Sequence, residues 1–105
     1  MANPIRGEAS VSVDGRARTL RLTLGALAEL EAGLGAEGLV DLVDRLERGG
    51  MRARDAIAVL TAGLRGAGEP VNAEDVASMR FDGGPAAAAR AALALLAATF
   101  SEAHA

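Results

Sequence analysis

Apolar and polar positions along this chain follow two periods. From Val11 to Leu22 they alternate: Val11, Val13, Leu20 and Leu22 fall on one face, and Ser10, Ser12, Thr19 and Arg21 on the other. Alternation of this kind marks strands with one buried face. Asp14-Gly15 interrupts it with two residues that tolerate the positive φ of a type I′ turn. The pattern predicts a β-hairpin over residues 6–23, with Val13 opposite Arg16 and Val11 opposite Arg18. Two strands alone are marginally stable, so the hairpin must lie on other elements.

After Thr23 the apolar spacing changes to three and four, the period of helices. Thr23 is a candidate N-cap for a helix over 24–34, with Leu24, Leu27, Leu30 and Leu34 on one face and Gly33 and Gly35 at its end. A second helix, 38–48, carries Leu39, Leu42, Val43 and Leu46 and stops at Gly49-Gly50. Its outer face pairs Asp41 with Arg45 and Asp44 with Arg48 at the i,i+4 spacing. A third, 53–64, repeats Ile57, Leu60 and Leu64 and ends at Gly66, Gly68 and Pro70. Its Asp55 lies in the first turn, where the dipole favours an acid. Arg52 stands where a Ser or Thr cap is expected, a deficit of about 1 kcal/mol. Asn72 and Asp75 have capping-box spacing for a short helix to about Met79. Asp82-Gly83-Gly84 breaks the chain, and Pro85 opens a last helix to about Ser101, with Leu93, Leu96 and Phe100 as its core stripe. The fold class is α+β: an N-terminal hairpin followed by four to five short α-helices, mainly helical. Residues 1–105 form a single domain, with 24–101 the helical part and 102–105, including His104, a frayed tail.

Composition narrows the chemistry. Half of the 105 residues are hydrophobic and 24% are charged, which is a globular composition and not a disordered one. There is no cysteine and one histidine, His104. Disulfides, thiolate metal sites and cysteine nucleophiles are thereby excluded, and the pattern gives no reason to expect a cofactor or a metal. The first ten residues hold no apolar core of signal-peptide length, and no stretch reaches the roughly 20 apolar residues of a membrane span. A cytoplasmic protein without membrane contact is expected.

The candidate motifs are weak. Gly33 to Gly38 reads GxGxxG, but these glycines follow a helix and lead into another, whereas a dinucleotide site needs them directly after a strand. Glu29 and Glu31 are two apart on a helix and point to different faces. Read as a helix-turn-helix, residues 53–79 would present Asn72, Ala73, Glu74 and Asp75 to DNA, and these acids repel phosphate. Charge is uneven: residues 1–22 carry +2 and the remainder −5, for a net −3. Arg16, Arg18 and Arg21 along the hairpin either keep its edge solvated or form a docking edge for an acidic partner or an added strand. Arg65, at a helix C-terminus, either satisfies carbonyls or meets a partner acid. These four arginines are the candidate partner-binding residues; catalytic and cofactor-binding candidates are absent.

Taken in order, RGE, the hairpin, TLGALAELE (Thr23 to Glu31), ARD (Ala53 to Asp55) and GLRGAG (Gly63 to Gly68) resemble one family. It is the gene transfer agent family protein of the tail region of alphaproteobacterial gene transfer agents and related prophages. That family is grouped with phage tail assembly chaperones, while its label also mentions the tail tube. The resemblance runs from Arg6 to Phe100. It implies a non-enzymatic role in building a phage-like tail. As an assembly chaperone, the chain would bind the tape-measure protein and help recruit tube subunits, then be left out of the particle. The alternatives are a structural tail component, tube or tube-associated, retained in the particle, and a small prophage DNA-binding regulator. The acidic balance counts against the last. A homo-oligomer through the Ala-rich last helix is compatible with the pattern.

Overall fold

The computed structural model describes Asn3, residues 6–34 and residues 38–102. Strand β1 (Glu8–Val13) pairs antiparallel with β2 (Arg16–Arg21), and five helices follow: α1 (Leu24–Leu34), α2 (Gly38–Glu47), α3 (Ala53–Gly66), α4 (Ala73–Ala77) and α5 (Gly84–Glu102). The expected hairpin plus helices is therefore the architecture, and it is mainly helical. The expected register also holds, with Val13 opposite Arg16 and Val11 opposite Arg18. Asp14 and Gly15 both take positive φ, 51° and 78°, as the turn requires.

One face of the hairpin carries the core: Val11, Val13, Leu20 and Leu22 are buried. Helix α3 covers β2 and α5 covers β1, while α1 leans on α3 from the other side. Leu60, Leu64, Val59 and Leu95 meet beneath the sheet, each essentially inaccessible to water. Burying a side chain of this size contributes roughly 1.5–3 kcal/mol, so these contacts are the main source of stability.

The starts of α1, α3 and α4 are built by local hydrogen bonds. Thr23 Oγ1 accepts from the Ala26 N–H at 3.1 Å, which confirms the cap of α1. Asn72 and Asp75 form the reciprocal capping box of α4, each side chain accepting from the other's N–H at 2.9 Å. Helix α3 meets its missing cap differently. Asp55 reaches back and accepts from the Arg52 N–H at 3.1 Å, which supplies the acid half of a capping box although no cap side chain accepts from the first turn. At the other end Gly68, at φ 101°, donates to Arg65 O at 3.0 Å while Glu69 N donates to Leu64 O at 3.0 Å, closing the helix.

Two core stripes differ from the sequence expectation. In α1 Leu24 is 84% exposed, and the buried positions are Ala26 and Leu30. In α5 Leu93 and Phe100 are on the outside, 41% and 37% exposed; the buried row is Ala88, Ala91, Ala92, Leu95, Leu96 and Ala98. The reason is common to both. Alanines let these helices approach their neighbours closely, so the small residues, and not all of the large ones, mark the inner face. In α2 Leu42 is buried as expected, while the side chain of Leu46 lies outside the described residues, as do Gly35 and residues 103–105, which include His104. Glu102 belongs to α5, so the helix runs one residue into the expected tail.

A connection invisible in the sequence completes the sheet. Phe81 bridges to Val13, Asp14 N donates to Arg80 O at 3.1 Å, and Asp82 N donates to Ser12 O at 3.0 Å. The Asp82 carboxylate then accepts from the Ser12 hydroxyl and from the Gly15 N–H at 2.8 Å. These two bonds, the Ser12 one foremost, hold the Asp82 carboxyl below its usual range against the opposing effect of desolvation. The residue read as a chain breaker is thus the clamp of the hairpin turn. Asp82→Ala is expected to raise the amide exchange rate at Gly15 selectively, as read by NMR. Unchanged Gly15 protection would refute the clamp. A depressed carboxyl adds stability above its unfolded value and loses it as pH falls through the folded one. The same amide should therefore lose protection in the wild type below about pH 4.

Candidate contact surfaces

The four candidate arginines do not gather into one patch. Arg16 and Arg18 share the face of Val13 and Val11 by register, at the turn end of β2, with Arg16 exposed and Arg18 partly so. They line a shallow cleft of about 490 Å³ with Ala17, Thr19, Ala67 and Glu69. Arg18 pairs with Glu69 at 2.9 Å, both about one-third exposed, a contact worth little on its own in water. Arg16 is exposed and has no ion pair among the described residues.

Arg21 lies on the opposite face of the hairpin, beside its cross-strand partner Glu8. Glu8 is buried and also accepts from the Asn3 N–H at 3.0 Å. The Arg21 hydrogen bond, helped by Asn3, keeps the Glu8 carboxyl below its usual range. Arg65 is elsewhere again. Its Nε donates to Glu29 Oε1 at 3.1 Å and a terminal nitrogen donates to Val71 O at 3.0 Å. It thereby ties α3 to α1 and to the segment leading into α4. Within the chain Arg65 meets one carbonyl, that of Val71 beyond α3, and one acid, Glu29 of α1. Glu29, one of the two glutamates considered as a carboxylate pair, is the acid concerned.

The largest cavity described is one that sequence reasoning missed. It is an open cleft of about 740 Å³ bounded by α3, α4, the 79–81 segment and the start of α5. Met51, Ile57, Leu60, Val76, Met79 and Phe81 form its apolar floor. Arg52 and Arg80 stand on its wall, and no Asp or Glu lines it. Its members come from residues 51–60 and from 76–89, which the fold brings together. The only local hint was that Met51, Met79 and Phe81, flexible or flat apolar side chains suited to contact surfaces, all sit beside helix ends.

The other motifs are placed as follows. Gly33 and Gly38 lie at the junction of α1 and α2, so a helix and not a strand leads into them. Helix α4, considered as a DNA-reading element, has five residues and exposes Glu74 and Asp75 in its first turn. Among the described residues no group of three or more His, Asp or Glu side chains is arranged to hold a metal, and no helix is long and apolar enough to cross a membrane.

What fold and surface define is a small α+β domain with an open apolar cleft and two arginines, Arg16 and Arg18, on its hairpin. The chain belongs to the phage tail tube protein family GTA-gp10, whose model matches residues 6–102. The resemblance carried by TLGALAELE and GLRGAG is thereby borne out, and the protein is a phage-tail protein of the gene transfer agent type. The family is named for a structural part of the tail, not for a reaction. No curated protein and no solved structure matches the chain.

Proposed function

We propose that this protein is a structural component of a phage-like tail, tube or tube-associated, retained in the particle. The observation that carries this reading is the family match, which spans nearly the whole chain and names the tail tube. It reverses the order expected from sequence, where the transient chaperone came first. The sheet has only two strands, β1's outer edge is partly taken by residues 80–82, and Gly66 packs on β2 at Arg21. Long strand-to-strand rings are therefore a poor fit, and a subunit seated on the tube is favoured within this reading. Arg16 and Arg18, at the turn end of β2, are its candidate contact with tube subunits. Arg21 and Arg65, engaged internally by Glu8 and Glu29, are secondary candidates.

A second reading keeps one specific support. An apolar cleft on a small helical domain suits a chaperone that covers the tape-measure protein before the tube polymerises. The two readings separate in one comparison. Co-expression with the tape-measure protein, followed by purification and sizing, is run beside protein identification in purified particles. Presence in particles supports the structural component. Absence from particles, with a soluble tape-measure complex in the lysate, replaces it with the chaperone.

A further inference from the structure

The 740 Å³ cleft has a charge signature as well as an apolar floor. The chain as a whole is acidic, with net charge −3, yet the cleft is lined by Arg52 and Arg80 and by no acid. Arg80 is exposed and has no ion pair among the described residues. The Arg52 side chain pairs with Asp55 through Nε at 3.4 Å and remains 54% exposed. Two helix N-termini open onto the same cleft, at Ala53 of α3 and at Gly84-Pro85 of α5. Helix α5 has no acid in its first turn to answer its dipole. Asp55 answers the α3 dipole and pairs with Arg52, whereas Arg80 and the α5 N-terminus favour negative charge and meet no acid among the cleft residues. The floor, from Ile57 to Phe81, is apolar and the cleft is open to solvent.

We infer that this cleft receives an acidic amphipathic helix of a partner chain, its apolar side chains on the Ile57–Leu60–Val76–Phe81 floor and its carboxylates against Arg52 and Arg80. An apolar stripe at i, i+3, i+4 and i+7 is the usual ligand of such a groove. The flanking carboxylates give orientation and selectivity, because a basic helix would meet both arginines and the α5 dipole unfavourably. The inference holds for a retained subunit and for a transient one alike, so its failure leaves the particle test intact.

The test is site-specific photo-cross-linking in cells that assemble the tail. Benzoylphenylalanine replaces Ala86, an exposed residue on the cleft wall, and in a control replaces Ala94, exposed on α5 outside it. The expected product is a cross-link from position 86 alone, mapped by mass spectrometry to an amphipathic segment of another protein with Asp or Glu beside its apolar stripe. Arg80→Glu should reduce that product to background, Arg80→Gln should weaken it, and an acid-to-Arg change in the mapped segment should restore it with Arg80→Glu. Circular dichroism of each variant reports folding. The inference is overturned by a cross-link to a second copy of this chain, by one to a basic or non-amphipathic segment, by a product indifferent to Arg80→Glu, or by none in cells that make tails.

Discussion

Gly66→Ala is expected to destabilise the protein by about 3 kcal/mol or more, a large part of the roughly 5–15 kcal/mol that holds a domain together. A Cβ on Gly66 would lie 1.9 Å from the Arg21 carbonyl oxygen and 3.0 Å from its carbon. Both are main-chain atoms of β2, with no rotamer through which to move aside. Helix α3 would have to lift from the sheet, exposing Leu20 and Leu64, which are now inaccessible to water. Gly63, one turn earlier, makes a softer case. Its added Cβ would meet Leu95 Cδ2 at 2.6 Å, the far end of a side chain that can rotate. Gly33 provides the opposite control: it is helical, and nothing lies within 4 Å of its added Cβ. Gly33→Ala should stabilise by up to about 1 kcal/mol, the helix-propensity gain. Guanidinium unfolding of the three variants checks the order. A Gly66→Ala midpoint indistinguishable from wild type would contradict the packing described.

Asp55→Ala is the second large effect, expected to cost about 2–4 kcal/mol by the same measurement. Asp55 is buried, yet it carries three bonds: from the Arg52 N–H, from Arg52 Nε and from Arg45 at 3.0 Å. Arg45 also reaches Asp41, so this one carboxylate couples the start of α3 to α2. Its removal uncaps α3 and leaves the largely buried Arg45 guanidinium with a weaker set of partners. Asp55→Asn keeps an acceptor for the Arg52 N–H and should cost less. Burial pushes the Asp55 carboxyl up, but the Arg52 hydrogen bonds and the neighbouring Arg45 and Arg52 charges together hold it below its ordinary value. Such a group stabilises the folded state above its unfolded pKa and stops doing so as pH falls through its folded one. The gap between wild type and Asp55→Ala should therefore be full at neutral pH and close below about pH 4. A gap that stays constant down to pH 3 would show that the charge of Asp55 is not what stabilises.

These two residues also mark where the sequence is informative and where it stops. Asp55 was legible as a first-turn acid because its role is local, within three residues of Arg52. Thr23, Asn72 and the Asp14-Gly15 turn were legible for the same reason, and with them the elements and the hairpin register. Gly66 was legible only as a helix end. Its closer constraint comes from Arg21, 45 positions earlier, and depends on how α3 crosses β2. The inner faces of α1 and α5 depart from the leucine spacing for a related reason. Leu24 and Leu93 obey helical spacing, but the choice between a leucine row and an alanine row is made by the neighbour each helix meets. The cleft combines α3, α4 and α5, so none of its three segments announces it alone. Arg52, read as a poor cap, and Arg80, not singled out at all, acquire their place on its wall only through that packing.

The central claim, a tail subunit retained in the particle, is tested most directly by isotope-dilution mass spectrometry of purified particles, counting copies of this chain against the other tail proteins. The account predicts a fixed, multi-copy ratio that persists through repeated purification. Complete particles lacking the chain, with the protein found only in the lysate beside the tape measure, would contradict it.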